Sequence, residues 1–202
     1  MPTVKSRILD IVHDAYPATF EGLAPSKRIG ERIFSGQTPH PNEVLSLFVQ
    51  QKVVSALPMA HYMAARFGLD SLMDSRLPAS ARLAPDILRA ATKGLLALRE
   101  MELRETHRLI FGSEIPRPCP WSGCPSRTTA ETSVPAWQKV VDRIADSAHS
   151  GTKILEVLSL DEVYGGGGVG FCDICIEVWE AGHADIRKKA WGMLPGMFGL
   201  KV

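Results

Sequence analysis

The chain has little of what would commit it to a membrane, an export route or a polyanion. No uninterrupted apolar run reaches the roughly 18 residues that a membrane-spanning helix needs. The opening stretch, MPTVKSRILDIVHDAYP, carries Lys5, Arg7, Asp10 and Asp14, so it holds no apolar segment of the signal-peptide kind. Charge of one sign is missing as well: 23 Lys and Arg stand against 22 Asp and Glu, a net +1. That balance gives no reason to expect a strong non-specific hold on nucleic acid or acidic membranes. The expected compartment is therefore intracellular, cytoplasm or nucleus, where thiols stay reduced. Cysteine is scarce, with four in 202 residues, and in that setting the four read more naturally as ligands or catalysts than as disulfides.

What is present is ordinary for a globular protein. Hydrophobic residues make up 45% and charged ones 22%, and 202 residues suffice for one sizeable core or a domain with a smaller appendage. The dominant apolar period is helical. Val4, Ile8, Ile11, Val12 and Ala15 form one stripe, with Thr3 as cap and Pro17 as stop. Residues 17–41 hold prolines and glycines enough for a connector, with one short helical turn around Lys27–Phe34. Asn42 is placed to cap a helix running to about Val53, and Pro58 suits the first turn of another that ends at Gly68. Pro85 opens a long helix through Leu88, Ala91, Leu95 and Leu98 to Ile110, before Gly112. The stretch IPRPCPWSGCPSR is too rich in proline for regular structure and reads as a structured loop. Ser133 and Pro135 start a further helix with Val140, Val141 and Ile144 on its apolar face, ending at Gly151. ILEVLSL (154–160) fits a short helix or a strand, and a last helix from about Asp173 to Leu194 is stopped by Pro195. The expected fold is all-α, a bundle-like helical domain with a cysteine-clipped loop and a long C-terminal helix. It divides into a helical region, 1–112, and a cysteine-containing helical subdomain, 113–202, packed on it.

The chemistry concentrates in YGGGGVGFCDIC (164–175). Gly165, Gly167 and Gly170 satisfy G-x-G-x-x-G, but any run of four glycines nearly does so by accident. A dinucleotide site needs strands on both sides and an acidic residue beyond, whereas the 32 residues after Gly170 read as one helix and a tail. A redox dithiol at Cys172 and Cys175 would need a thioredoxin-like βαβ context that the helical pattern does not supply. The metal reading has a partner pair: Cys119 and Cys124 form C-x4-C, and Cys172 and Cys175 form C-x2-C. Together they use every cysteine, the arithmetic of a four-thiolate zinc site in which each short loop turns two sulfurs toward one ion. Such a site has no open position for water and is structural. Its residual negative charge could be offset by Arg117, Arg127, Arg187, Lys188 and Lys189, near in sequence. The competing reading is four buried thiols that bind nothing, since free cysteine is among the most buried residue types. His107 and His183 are reserve ligands.

The ending WGMLPGMFGL (191–200) is either a tail docked in the core or an exposed partner-binding motif. Trp121, Trp137 and Trp179 fit core or rim packing. No nucleophile motif, open metal site or phosphate loop survives, so the residues point away from an enzyme and toward protein binding. A small zinc-dependent nucleic-acid-binding protein is the alternative, with Arg187, Lys188, Lys189 and the tryptophans as contacts.

Several stretches, in order, carry a resemblance: DAYPATFEGL (14–23), ALPMAHYMAA (56–65), LAPDILRA (83–90), the CPWSGC loop, FCDIC, and IRKKAWGMLPGMFGL (186–200). In these the chain resembles the region that follows the BTB/POZ fold in a group of fungal, chiefly basidiomycete, BTB-domain proteins. The resemblance implies a helical region that supports protein–protein contacts, with other proteins as partners and no catalytic residues to carry over. The BTB fold that would precede residues 1–112 is expected to be missing, which puts BTB-mediated dimerisation in question.

Overall fold

The structure, a computed structural model, describes residues 16–23, 40–112, 119, 124, 138–142, 144–145, 151–156 and 171–201. Several expectations lie outside them: the Val4–Ala15 helix, the Lys27–Phe34 turn, the starts at Ser133 and Pro135, Trp121, Trp137 and the four-glycine run. Among the described residues every regular element is helical, so the class is all-α. Five α-helices run Pro41–Gln50 (α1), Leu57–Ala65 (α2), Gly68–Met73 (α3), Pro85–Phe111 (α4) and Asp173–Met197 (α5), with single 3-10 turns at Val54–Ala56 and Ala79–Ala81.

Prolines set three of the starts. Pro41 begins α1 and forces His40 into extended backbone, the conformation of a cap. His40, not Asn42, is therefore the cap: its Nδ1 accepts from the Asn42 amide at 3.2 Å, and Glu43 Oε2 accepts from the His40 amide at 3.2 Å. Asn42 sits inside the first turn, fully buried, and its side-chain amide has no hydrogen-bond partner among the described residues. α1 also stops sooner than Val53. Lys52 takes φ 55°, and the amides of Lys52 and Val53 close back on the Val49 and Phe48 carbonyls. That is a left-handed helix stop built without glycine. Pro58 lies in the first turn of α2 as expected, but the helix ends at Ala65, and Gly68 opens α3 instead of closing α2.

α2 is the central element. Met59 through Ala65 are all buried, which is why its sequence is apolar on every side. It packs on α1, α3, α4 and α5. α4 and α5 are the two long helices, and their contacts fix an antiparallel register: Gly94 faces Phe198, Glu105 faces Lys189, and Leu109 faces Gly182. The glycines allow this approach, since a Cβ on Gly94 would lie 2.0 Å from Phe198 Cδ1 and one on Gly182 would lie 2.3 Å from Leu109 Cδ1. α4 matches the expected span, with Gly112 as its C-cap. α5 runs past Pro195, which lies within its last turns. Proline there forfeits one ladder bond, while the Leu194 and Pro195 carbonyls still accept from the Phe198 and Leu200 amides.

Tyr16, Leu23, Trp179, Leu194 and Phe198 join the helices in one contiguous core. The C-terminal tail is thus docked, with Phe198 against His61 at 5.0 Å, although Met193 stays 43% exposed. Tyr16 meets Phe48 edge-on at 5.1 Å, and Phe20 lies 6.4 Å from Trp191, so the 16–23 segment spans α1 and α5. Burying side chains of the size of Leu194 or Trp179 contributes on the order of 1.5–3 kcal/mol each.

Candidate metal centre

The first turn of α5 presents two of the four cysteines. Cys172 is its N-cap residue, in extended backbone, and Cys175 lies one turn in, with the Ile176 amide closing on the Cys172 carbonyl at 3.0 Å. That places both sulfurs on one side of the helix start, where the first backbone amides favour negative charge. Cys119 and Cys124 come from the segment beyond α4 and meet them there. All four sulfurs lie within 4.8 Å of one another. Cys119 is 3.3 Å from Cys172, and Cys124 is 3.7 Å from Cys175. A tetrahedral ion with Zn–S bonds near 2.3 Å would separate its sulfurs by about 3.8 Å, so this grouping is of metal-binding size. The sequence-predicted residues are therefore brought together across more than 50 positions of chain.

The cluster is largely closed to water. Cys119, Cys124 and Cys175 are buried and Cys172 is half-buried. Burial works to raise the Cys172 thiol, but the Cys175 backbone amide and the sulfurs of Cys119, Cys175 and Cys124 outweigh it and hold it below the ordinary thiol range. A group with this donor set and burial is suited to hold a soft or borderline cation and has no protein position left for a substrate.

The reserve ligands are elsewhere. His183 stacks on Trp179 at 5.6 Å, and His107 lies tilted against Phe111 at 4.6 Å; neither belongs to the thiol group. Burial, assisted by the Arg187 charge, pulls His183 down to about 4. The expected charge compensation by Arg187, Lys188 and Lys189 also fails on geometry. Arg187 is twelve residues along α5 from Cys175, about 18 Å at 1.5 Å per residue. Its Nε donates to the Leu155 carbonyl at 2.9 Å, and its guanidinium lies over the Phe20 ring. Lys189 pairs with Glu105 at 2.7 Å. Arg117 and Arg127 lie outside the described residues.

A buried polar network with no signature in the sequence lies between α2, α4 and the 151–156 segment. Arg99 Nη1 donates to Glu102 Oε2 at 3.1 Å and to the Gly151 carbonyl at 2.8 Å, and Nη2 donates to the Ile144 and Ala145 carbonyls. Glu102 also accepts from Thr152 Oγ1 and the Lys153 amide. Tyr62 Oη accepts from the Leu155 amide at 3.3 Å, and Arg66 pairs with Glu156. Burial raises both the Glu102 carboxyl and the Tyr62 phenol. The network's side chains mostly hold backbone, so its chemistry is that of a clamp. Gly151 completes it: at φ 99°, a Cβ there would lie 1.9 Å from the Arg66 carbonyl oxygen. One concave surface feature, about 240 Å³, is lined by Leu72, Met73, Leu77, Leu83 and Leu88 with Asp74, Ser75 and Arg82.

No family model, no curated protein and no solved structure matches the chain. Among the described residues no helix is long and apolar enough to cross a membrane.

Proposed function

We propose that the chain is a non-enzymatic, protein-binding helical domain of the adaptor kind, whose cysteine segment is held to the last helix by one structural zinc ion. The observation that carries the reading is the group of four sulfurs within 4.8 Å of one another, three of them on buried residues. Cys119, Cys124, Cys172 and Cys175 supply four thiolates, which fill a tetrahedral zinc ion and leave it no position for catalytic water. The reading places the domain in a reducing compartment, cytoplasm or nucleus, where all four sulfurs remain available. The adaptor part rests on the resemblance to the post-BTB region of fungal proteins and on the clamp-like use of the buried polar groups. The nucleic-acid alternative finds no support in the geometry: Arg187 and Lys189 are engaged within the fold, and Trp179 is fully buried.

Elemental analysis of protein purified without chelator tests the metal; the expected result is one zinc per chain. Zinc binding contributes folding free energy directly, so chelation should loosen the first turn of α5 and the cysteine segment, while Cys175→Ser should do the same without chelator. His107→Ala and His183→Ala should leave zinc content unchanged. Affinity capture with the zinc-loaded chain should recover stoichiometric protein partners that the Cys175→Ser variant loses. Zinc-free protein would refute the clip, and repeated capture of nothing would refute the adaptor role.

A further inference from the structure

The four sulfurs differ in their access to solvent. Cys119, Cys124 and Cys175 are 1%, 4% and 0% exposed, whereas Cys172, at the mouth of α5, is only half-buried. A small oxidant approaching from solvent meets the Cys172 sulfur first. The Cys119 sulfur is 3.3 Å from it, closer than the 3.7 Å between Cys124 and Cys175. A disulfide bond is about 2.05 Å long, so this pair needs to close by little more than about 1.2 Å.

Building on the zinc-clip reading, we propose that hydroperoxides oxidise the cluster at Cys172 and that the product is a Cys119–Cys172 disulfide, formed with release of the metal. In the first step the Cys172 sulfur attacks the O–O bond of the peroxide. The S–O bond forms, the O–O bond breaks, the sulfur loses two electrons, and the departing alkoxide or hydroxide takes a proton from water. The Cys119 thiolate then attacks the sulfenic sulfur. The S–S bond forms and hydroxide leaves, taking a second proton. Two thiolates, one peroxide and two protons thus become one disulfide, one water and one alcohol, or a second water if the oxidant is hydrogen peroxide. The ion loses two of its four ligands, and the remaining pair, Cys124 and Cys175, cannot retain it against solvent.

The structural outcome is particular to this arrangement. The disulfide joins the same two parts of the chain that the metal joined, 53 residues apart. The clip therefore changes from coordinate to covalent without letting go of α5. A disulfide within either short motif would instead release the 119–124 segment. The pairing decides whether oxidation preserves the fold or opens it.

The test uses the full zinc-loaded chain titrated with hydrogen peroxide beside a chromophoric zinc chelator, followed by peptide mapping of disulfides. The expected result is one zinc released per peroxide consumed, with Cys119–Cys172 as the dominant crosslink and both changes reversed by dithiol and added zinc. Brief alkylation before oxidation should label Cys172 ahead of the other three. Cys172–Cys175 or Cys119–Cys124 as the main crosslink, or zinc retained through several equivalents of peroxide, would overturn the proposal. A chain that carries no zinc at the outset refutes the clip reading instead. The crosslink formed in that metal-free chain would still decide the role of Cys172, supporting it if Cys119 is the partner and overturning it otherwise.

Discussion

Replacing Arg99 by Met and Glu102 by Leu, singly and together, asks whether the buried network is an ion pair or a backbone clamp. Arg99 is 8% exposed and Glu102 4%, and their contact is 3.1 Å. Removing one partner of such a pair leaves a buried charge unbalanced and costs about 3–5 kcal/mol. If the pair mattered only to itself, the apolar double variant would return close to wild-type stability, because two desolvated charges would be gone. The structure argues otherwise. The double variant also strips donors from the Gly151, Ile144 and Ala145 carbonyls and an acceptor from the Thr152 hydroxyl and the Lys153 amide. At about 1 kcal/mol for each hydrogen bond lost in this buried setting, those losses offset any relief from removing the charges. The double variant should therefore remain roughly 3–5 kcal/mol less stable than wild type. Urea unfolding at neutral pH measures it, and hydrogen exchange should show residues 151–156 losing protection first. A double variant within about 1 kcal/mol of wild type would refute the clamp.

Gly94→Ala gains up to about 1 kcal/mol of helix propensity but must displace the Phe198 ring, at 2.0 Å from the new Cβ. Overpacking against a ring that is 2% exposed should win, lowering stability by roughly 1–2 kcal/mol in thermal unfolding, with Phe198→Leu recovering part of it. Lys52→Gly should have the opposite sign, raising stability by about 1 kcal/mol in the same assay, because φ 55° is strained for lysine and free for glycine. His183, held at about 4 when folded, titrates near 6.5 when unfolded, so between those values the unfolded chain takes the extra proton. Its contribution is complete above pH 6.5 and is lost as pH falls, by about 2 kcal/mol at pH 5. The raised Glu102 carboxyl acts in the opposite direction, so the measure is the difference between wild type and His183→Gln in urea titrations at pH 7 and pH 5. An unchanged difference would remove His183 from the acid response.

The features legible in the sequence are local ones. Pro85 and Gly112 bracket a helix because each acts on its own few residues, and α4 spans Pro85–Phe111 with Gly112 as its cap. The cysteine grouping can be foreseen because thiol pairs announce themselves by spacing, whatever chain separates them. The departures are also local, and each has a competing rule. Asn42 is a better cap by residue type, but Pro41 fixes His40 in the cap conformation. Pro195 has the residue type of a stop, yet in the last turns of a helix it removes one bond where few remain. Gly68 has the residue type of a C-cap but carries its φ of 86° at the start of α3. The clamp is invisible in the sequence for a different reason. Arg99 and Glu102 occur on a helix among other charges, and their exposed or buried state depends on residues about 50 positions away. Arg187 and Lys189 depart from expectation on the same ground: nearness in sequence along a helix becomes about 18 Å in space.

That distance also lets the four-sulfur group and the contacts with α4 sit at different points along one helix. α5 is fastened along its whole length: by sulfurs at its first turn, by Leu109 against Gly182, by Glu105 against Lys189, and by Phe198 in the notch above Gly94. Three of those four fastenings need no ion. They engage α4, whose own start and stop are set by proline and glycine, and α2, which is buried on all sides. On the zinc-clip reading proposed above, the ion would act at the first turn of α5, where Cys119 and Cys124, from a stretch rich in proline by sequence, meet Cys172 and Cys175. A thiolate site attaches a chain through two side chains and asks no regular backbone of it. On that reading, coordination would hold the cysteine segment to the start of α5 as side-chain packing holds α4 along the rest of it.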